Sequence, residues 1–216
     1  MQYGSSVLFQ RADLTFTAGN CYGIIGANGA GKSTLLKILV GYLLPDAGEI
    51  LILGKKYEDA AEQILSHIGY VPENSLLYPE MSVFDFLKLS ADLKQLTYDE
   101  FINNIKELAE RLELKKVMTQ KNSTLSKGYK KRVEIASAPD ILILDEPTEG
   151  LDPNQKEIVR NFLKEYSKKN MVIISTHILE EVKIMANRII MLSRGEKSAD
   201  LSRSQLNALS LENLFK

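Results

Sequence analysis

Eight consecutive residues, Gly26-Ala27-Asn28-Gly29-Ala30-Gly31-Lys32-Ser33, fit the spacing G-x-x-x-x-G-K-[ST]. Glycines let so short a loop curl until its backbone N–H groups converge on an anion. A helix opening at Lys32 adds the positive end of its dipole, with Thr34 in the same first turn. Lys32 has the reach for the outer phosphates of a nucleotide, and the Ser33 hydroxyl suits magnesium. A second signal is Asp145-Glu146, which follows the apolar run 141–144. Adjacent strand residues point to opposite sides, so Asp145 can hold a metal through its water shell while Glu146 orients and polarises a water. A base so placed contributes about 10²–10⁴-fold in rate. Taken singly, the first pattern also describes a glycine turn before a core helix, and the second an acidic strand end. Together they point to nucleoside triphosphate binding and hydrolysis.

Such a site needs a strand before the glycine loop, a helix after it, and a second buried strand for the carboxylates. All three are legible. Residues 21–25 form a short apolar strand, and 32–43 carry apolar residues at helical spacing. Residues 45–48, Pro-Asp-Ala-Gly, make a turn. Strands are expected at 50–53 and 68–71, with a helix at 60–66 between them. From 83 to 113 the pattern is helical and charged, with no strand. Residues 141–144 are apolar on both faces, as in the middle of a parallel sheet. A helix at 154–167, a strand at 171–175, a helix at 178–186 and a strand at 188–192 follow, and the chain from 195 onward reads as a polar tail. The alternation predicts an α/β P-loop NTPase: a central, mainly parallel sheet flanked by helices, with an inserted helical subdomain. Residues 1–76 and 139–216 would form the ATPase core and 77–138 the helical insert of one domain.

The bulk numbers agree. The chain has 216 residues, 44% of them apolar and 25% charged, enough for one domain with a real core. A net charge of -1 gives no general pull toward nucleic acid, and none is expected as a partner. Lys127, Lys130, Lys131 and Arg132 read as a solvated helix face. The one cysteine, Cys21, excludes an intrachain disulfide, fits a reducing cytoplasmic compartment, and reads as a core residue. No apolar run approaches the roughly 20 residues of a bilayer span, so a membrane role would come through a partner. The N-terminus shows no signal-peptide pattern. His67 is assigned no role.

Further segments resemble one family. Leu125-Ser126-Lys127-Gly128-Tyr129, shortly before the Asp145 strand, resembles the signature segment of ABC ATPases. Pro147-Thr148-Glu149-Gly150-Leu151-Asp152-Pro153 is similar to their D-loop, and Ser175-Thr176-His177 to the strand end with their switch histidine. Ile68-Gly69-Tyr70-Val71-Pro72-Glu73 resembles the Q-loop, and Tyr3-Gly4 the aromatic that stacks on adenine. The order of these pieces matches an ABC nucleotide-binding domain over essentially the whole chain.

The resemblance implies Mg-ATP sandwiched between two such domains, most simply in a homodimer. Gly26, Asn28, Gly29, Ala30, Gly31, Lys32, Ser33 and Thr34 would hold the phosphates, and Tyr3 the adenine. Ser126 and Gly128 would cover the nucleotide of the partner, and Asp152 would link the two sites. Ser33, Glu73 and Asp145 would serve the metal. Glu146, His177 and Lys32 would carry the hydrolysis. A separate transmembrane permease subunit, docking near 74–93 at the cytoplasmic face, would take up the work. Glu73 stands where the family has glutamine. With Asn74, Leu77-Tyr78-Pro79 and the terminal Ser210-Leu211-Glu212-Asn213-Leu214-Phe215 it resembles the branch of drug, polysaccharide and gliding-machinery exporters. The segment with Leu8-Phe9 and 16–28 resembles instead the ABC-F factors that act on ribosomes. Those carry two such domains and a charged linker, whereas this chain has one domain and no such linker. Compared with the family, 132–141 is short by about one helical turn of 3.6 residues. That shortening either displaces the Asp145 strand and impairs turnover, or trims a surface connection.

Overall fold

The computed structural model describes residues 2–3, 6–7, 13–137 and 140–208. Two short strands, β1 (Gln2–Tyr3) and β2 (Ser6–Val7), pair antiparallel at the start of the chain. Then follow β3 (Asn20–Ile25), α1 (Lys32–Leu39), a hairpin of β4 (Leu51–Ile52) and β5 (Lys55–Lys56), α2 (Tyr57–Ser66) and β6 (Ile68–Val71). Next are α3 (Val83–Leu93), α4 (Tyr98–Arg111), two single 3-10 turns and α5 (Lys127–Ala136). β7 (Ile141–Asp145), α6 (Pro153–Tyr166), β8 (Met171–Thr176), α7 (Leu179–Met185), β9 (Arg188–Ser193), β10 (Glu196–Ser202) and α8 (Arg203–Ala208) complete the described chain.

Six strands make the central sheet, in the order β10-β9-β3-β8-β7-β6. Five run parallel; β10 alone pairs antiparallel, on β9. Alternation along each strand builds two cores. Cys21, Ile25, Leu142, Leu144, Val172 and Ile174 face one side, where α3 to α7 pack. Tyr22, Ile24, Ile143, Ile173 and Ile190 face the other, against Leu35 and Leu36 of α1 and Ile64 of α2. Cys21 is buried in the first core, and burial pushes its thiol up to about 12, as expected of an inert packing residue.

Local signals explain several helix starts. Ser82 accepts the Asp85 N–H at 3.1 Å and opens α3. Thr97 and Glu100 form a reciprocal capping box on α4. Asp152 accepts the Gln155 N–H at 3.0 Å, with Pro153 beginning α6.

Several elements differ from the reading of the sequence. α1 stops at Leu39, not 43, because Gly41 turns left-handed (φ 72°) and leaves room for the Tyr57 hydroxyl. α2 starts at Tyr57, three residues early, with a kink at Ala60. β4 is a two-residue strand outside the main sheet. The supposed polar tail contains β10, an edge strand with one solvated side, bonded across by the ion pair of Arg188 Nε and Asp200 Oδ1 at 2.8 Å. α5 ends at Ala136, Ala138 and Pro139 lie outside the described residues, and β7 keeps unbroken register with β6 and β8 from Ile141 onward.

Gly23, in the middle of β3, lies under α7: a Cβ there would meet Val182 Cγ1 at 2.3 Å and Ala186 Cβ at 3.2 Å. Both neighbours are fully buried. Gly23→Ala is therefore an overpacking change and is expected to cost about 1–3 kcal/mol. Urea unfolding of the two proteins measures it, and an unchanged midpoint would refute the close packing.

Candidate nucleotide site

Parallel strands present their C-terminal ends together, and these ends carry nearly every residue singled out above. β3 runs into the glycine loop, β8 into His177, β7 into Asp145-Glu146 and β6 into Glu73. β3, β8 and β7 are consecutive neighbours in the sheet.

The loop is a shaped cradle. A Cβ at Gly26 would lie 2.5 Å from Leu192 O and 2.9 Å from Ala30 Cβ, so only glycine passes there. Gly29 (φ 81°) and Gly31 (φ 97°) take left-handed conformations, and Gly29 has open space around its Cα. Ala30 N–H closes the turn on Ala27 O at 3.1 Å. Lys32 is buried at the start of α1, and its ammonium donates to Gly26 O at 2.8 Å and Ala27 O at 3.2 Å. Ser33 and Asn28 are exposed, and Thr34 is half-buried. Asp145 is buried and accepts a hydrogen bond from Ser175 of β8, its register partner.

Glu146 is the strained residue of the site. It has φ 46°, a conformation that costs a non-glycine residue about 1–3 kcal/mol. The turn is held by Glu146 N–H donating to Ser175 O at 3.0 Å. Its side chain is held as firmly: Oε1 accepts from the His177 N–H at 3.1 Å and meets His177 Nδ1 at 2.9 Å. The backbone twist carries the carboxylate from β7 onto the loop after β8.

These residues fit a magnesium–nucleotide complex. Among the described residues no cluster of three or more His, Cys, Asp or Glu could hold an ion alone. Magnesium, however, commonly rests on one or two protein oxygens plus waters and phosphates. Ser33 and Asp145 supply that kind of partial donor set beside a glycine cradle and a buried lysine. Glu73 is exposed on the loop after β6.

The remaining expected residues form a second group. Ser126 caps α5, accepting the Tyr129 N–H at 3.4 Å, and Gly128 is buried in its first turn. Asp152 caps α6. Tyr3 lies in β1, its side chain outside the described residues, as do Leu8, Phe9 and 210–215.

One expectation is overturned. Lys131 and Arg132 are not on a solvated face; each is only 3% exposed. Arg132 Nη1 donates to Leu112 O at 2.8 Å, and its guanidinium stacks over Tyr129. Lys131 Nζ donates to Pro72 O at 2.6 Å and Glu73 O at 3.2 Å, its pKa lowered by burial. One turn on, buried Glu134 accepts the Leu76 N–H at 2.8 Å; burial raises its pKa against the pull of Ser75, Leu76 and the nearby lysines. Two buried charges on α5 thus staple the 72–76 loop. Nothing in the sequence marks them, since a charged run is usually solvated.

Glu181 is a further residue the sequence does not reveal. Buried on α7, four residues after His177, it takes Arg160 Nε at 2.7 Å, Arg160 Nη2 at 2.5 Å and Lys156 at 3.4 Å, all from α6. Burial would raise its pKa, but the bonds and charges of Arg160 and Lys156 prevail and hold it below the ordinary carboxylate range. His67, given no role, pairs with Asp140 at 2.8 Å on the opposite end of the strands.

Fold and cradle together define a P-loop NTPase with an ABC cassette architecture. The sequence profile of the ABC transporter family matches residues 9–149. An uncharacterized ABC transporter ATP-binding protein of Bacillus subtilis is 33% identical over 205 residues, 92% of this chain and 66% of its own length. The Nod factor export ATP-binding protein I of Cupriavidus metallidurans is 32% identical over 92% of this chain and 67% of its own. A solved ATP-binding cassette, MJ0796, dimeric in a post-hydrolysis state with ADP and Pi, superposes with a TM-score of 0.83 at 26% identity, covering 94% of each chain. The chain belongs to the ABC transporter ATP-binding family, a family of ATPases whose cassettes bind ATP with Mg²⁺. It spans about two thirds of the length of the bacterial relatives named here. No helix among the described residues is long and apolar enough to cross a membrane.

A stability prediction follows from Glu181. A carboxylate with a lowered folded pKa stabilises fully above the ordinary carboxylate range and loses that contribution as pH falls through the folded value. Glu181→Gln is expected to melt lower than the native chain at neutral pH. The gap should narrow on acidification below the ordinary range. A gap independent of pH would show that the charge is not what stabilises.

Proposed function

We propose that this chain is the ATP-hydrolysing subunit of an ABC exporter, working as a dimer at the cytoplasmic face of a membrane. The observation that carries the hydrolytic half is the clamp of Glu146 by His177, next to the cradle around Lys32. The phosphate loop N–H groups and Lys32 bind the polyphosphate, Lys32 exchanging the carbonyls of Gly26 and Ala27 for phosphate oxygens. Ser33, Asp145 and Glu73 would hold magnesium, which, when bound, neutralises charge on the β- and γ-phosphates. Both His177 bonds fall on Glu146 Oε1, so Oε2 is the oxygen left to orient water and take its proton. The water oxygen bonds to the γ-phosphorus as the bond to the bridging oxygen breaks, and ADP leaves with that electron pair. Positioning and charge neutralisation supply most of the rate in such transfers.

The dimer rests on likeness to cassettes solved as dimers and on the family signature: Ser126 and Gly128 would cover the partner's nucleotide, and Asp152 would join the two sites. Tyr3 would stack on the adenine. Export rests on the Nod factor export relative and on the branch resemblance. The permease would dock on the loop and helix after β6, where Leu76 and Tyr78 are 60% and 57% exposed and Tyr78 packs on Phe86. Lys131 and Glu134 would carry a push on that surface into α5.

Lys32→Ala is expected to weaken ATP binding at least about 100-fold, the scale of a lost charge-assisted contact to a phosphate. Equilibrium titration with a fluorescent ATP analogue checks it, and unchanged affinity would remove the phosphate-loop assignment. For Glu146→Gln, steady-state ATPase should fall by about 10²-fold or more. Binding should persist, and an ATP-dependent dimer should accumulate on size exclusion. Full activity in that variant would show that another group handles the water.

A further inference from the structure

Two side chains cross in opposite directions between the start of α5 and the segment after Glu146, and each lands on a glycine. A Cβ built on Gly128 would lie 1.1 Å from Gln155 Oε1, 2.1 Å from its Cδ and 2.8 Å from its Nε2. The carboxamide of Gln155 thus fills the room that a side chain at 128 would need. Gln155 is itself anchored, its N–H held by the Asp152 carboxylate at 3.0 Å. In the other direction, a Cβ on Gly150 would lie 2.6 Å from Lys127 Nζ and 3.2 Å from its Cε. Gly150 is also left-handed, at φ 69°.

We propose that Gln155 is a positioning residue: with Lys127 it packs the Ser126–Gly128 turn against the loop that carries Asp152, in the room that Gly128, lacking a side chain, leaves for Gln155 of its own chain. The packing half stands on these contacts alone. The functional half rests on the composite-site reading above. In that reading both segments face the partner chain, so the packing keeps the cap over the partner's nucleotide aligned with the link between the sites. Glu146 and the Asp152 loop follow β7 directly, so a shift there is passed to Ser126 through Gln155 rather than through the long route of the helical region.

A double-mutant cycle tests the packing. Gly128 lies within α5 and is not among the residues of positive φ. Helix propensity alone therefore favours Gly128→Ala. In the Gln155→Ala background the substitution should raise the melting temperature; with Gln155 in place, whose carboxamide must move aside, the shift should be lower by about 2 °C or more. Equal shifts in the two backgrounds would overturn the packing. The function is tested in the Glu146→Gln chain, which should form an ATP-dependent dimer. Adding Gln155→Ala should weaken that dimer at least about fivefold, with nucleotide affinity of the monomer unchanged. Gln155→Met, which keeps the volume, should restore it. Undiminished dimerisation would overturn the positioning role even where the melting cycle holds. If Glu146→Gln alone binds ATP but never dimerises, the composite-site reading fails and with it the functional half, while the melting cycle still decides the packing.

Discussion

The register between β7 and β8 is the constraint on which the site depends. It sets Asp145 opposite Ser175, so a buried carboxylate has a hydroxyl donor. It also sets the Ser175 carbonyl where the Glu146 N–H can reach it, and so makes the left-handed turn at Glu146 possible. A slip of one residue would turn every side chain of β7 to the other face of the sheet. Leu142 and Leu144 pack in one core and Ile141 and Ile143 in the other, so that slip would force both cores to repack. The pairing with β8 and the packing on both faces thus aim the carboxylates.

Around that pair, buried charges rather than apolar contacts decide how the moving parts are joined. Lys131 and Glu134 bind the loop after β6 to α5, and Glu181 binds α7 to α6 through Arg160 and Lys156. Each link is directional and breaks sharply, whereas an apolar contact would let one element slide on another. A buried charge left alone costs several kcal/mol, so elements held this way move together or not at all.

The chemistry was readable from residue order because glycine loops, buried strands and strand-end carboxylates are local patterns. The loop 26–33 needs no distant residue to be recognised, and neither does the apolar run before Asp145. The alternating faces of β3, β7 and β8 follow from a period of two, and the capped helices α3, α4 and α6 from their first residues. Elements that lack a local signature were harder. β10 looked like a tail because an edge strand with a solvated side has no run of apolar residues. In α1 the apolar spacing continues to Leu43, past a glycine that ends the helix.

By itself, then, the sequence determined the fold class, the glycine loop ahead of α1 and the carboxylates at the end of β7. Those depend on short-range patterns of residue type. Only the tertiary structure decided that Lys131 and Arg132 are interior, that His177 grips Glu146, that Glu181 holds two cations, and that Gly128 makes room for Gln155. Each of these pairs residues 20 or more positions apart, except for Lys131 and Arg132, whose burial depends on what packs over α5. Polar residues carry no mark in the sequence of the partner that will bury them; that partner is assigned when the helices close on the sheet.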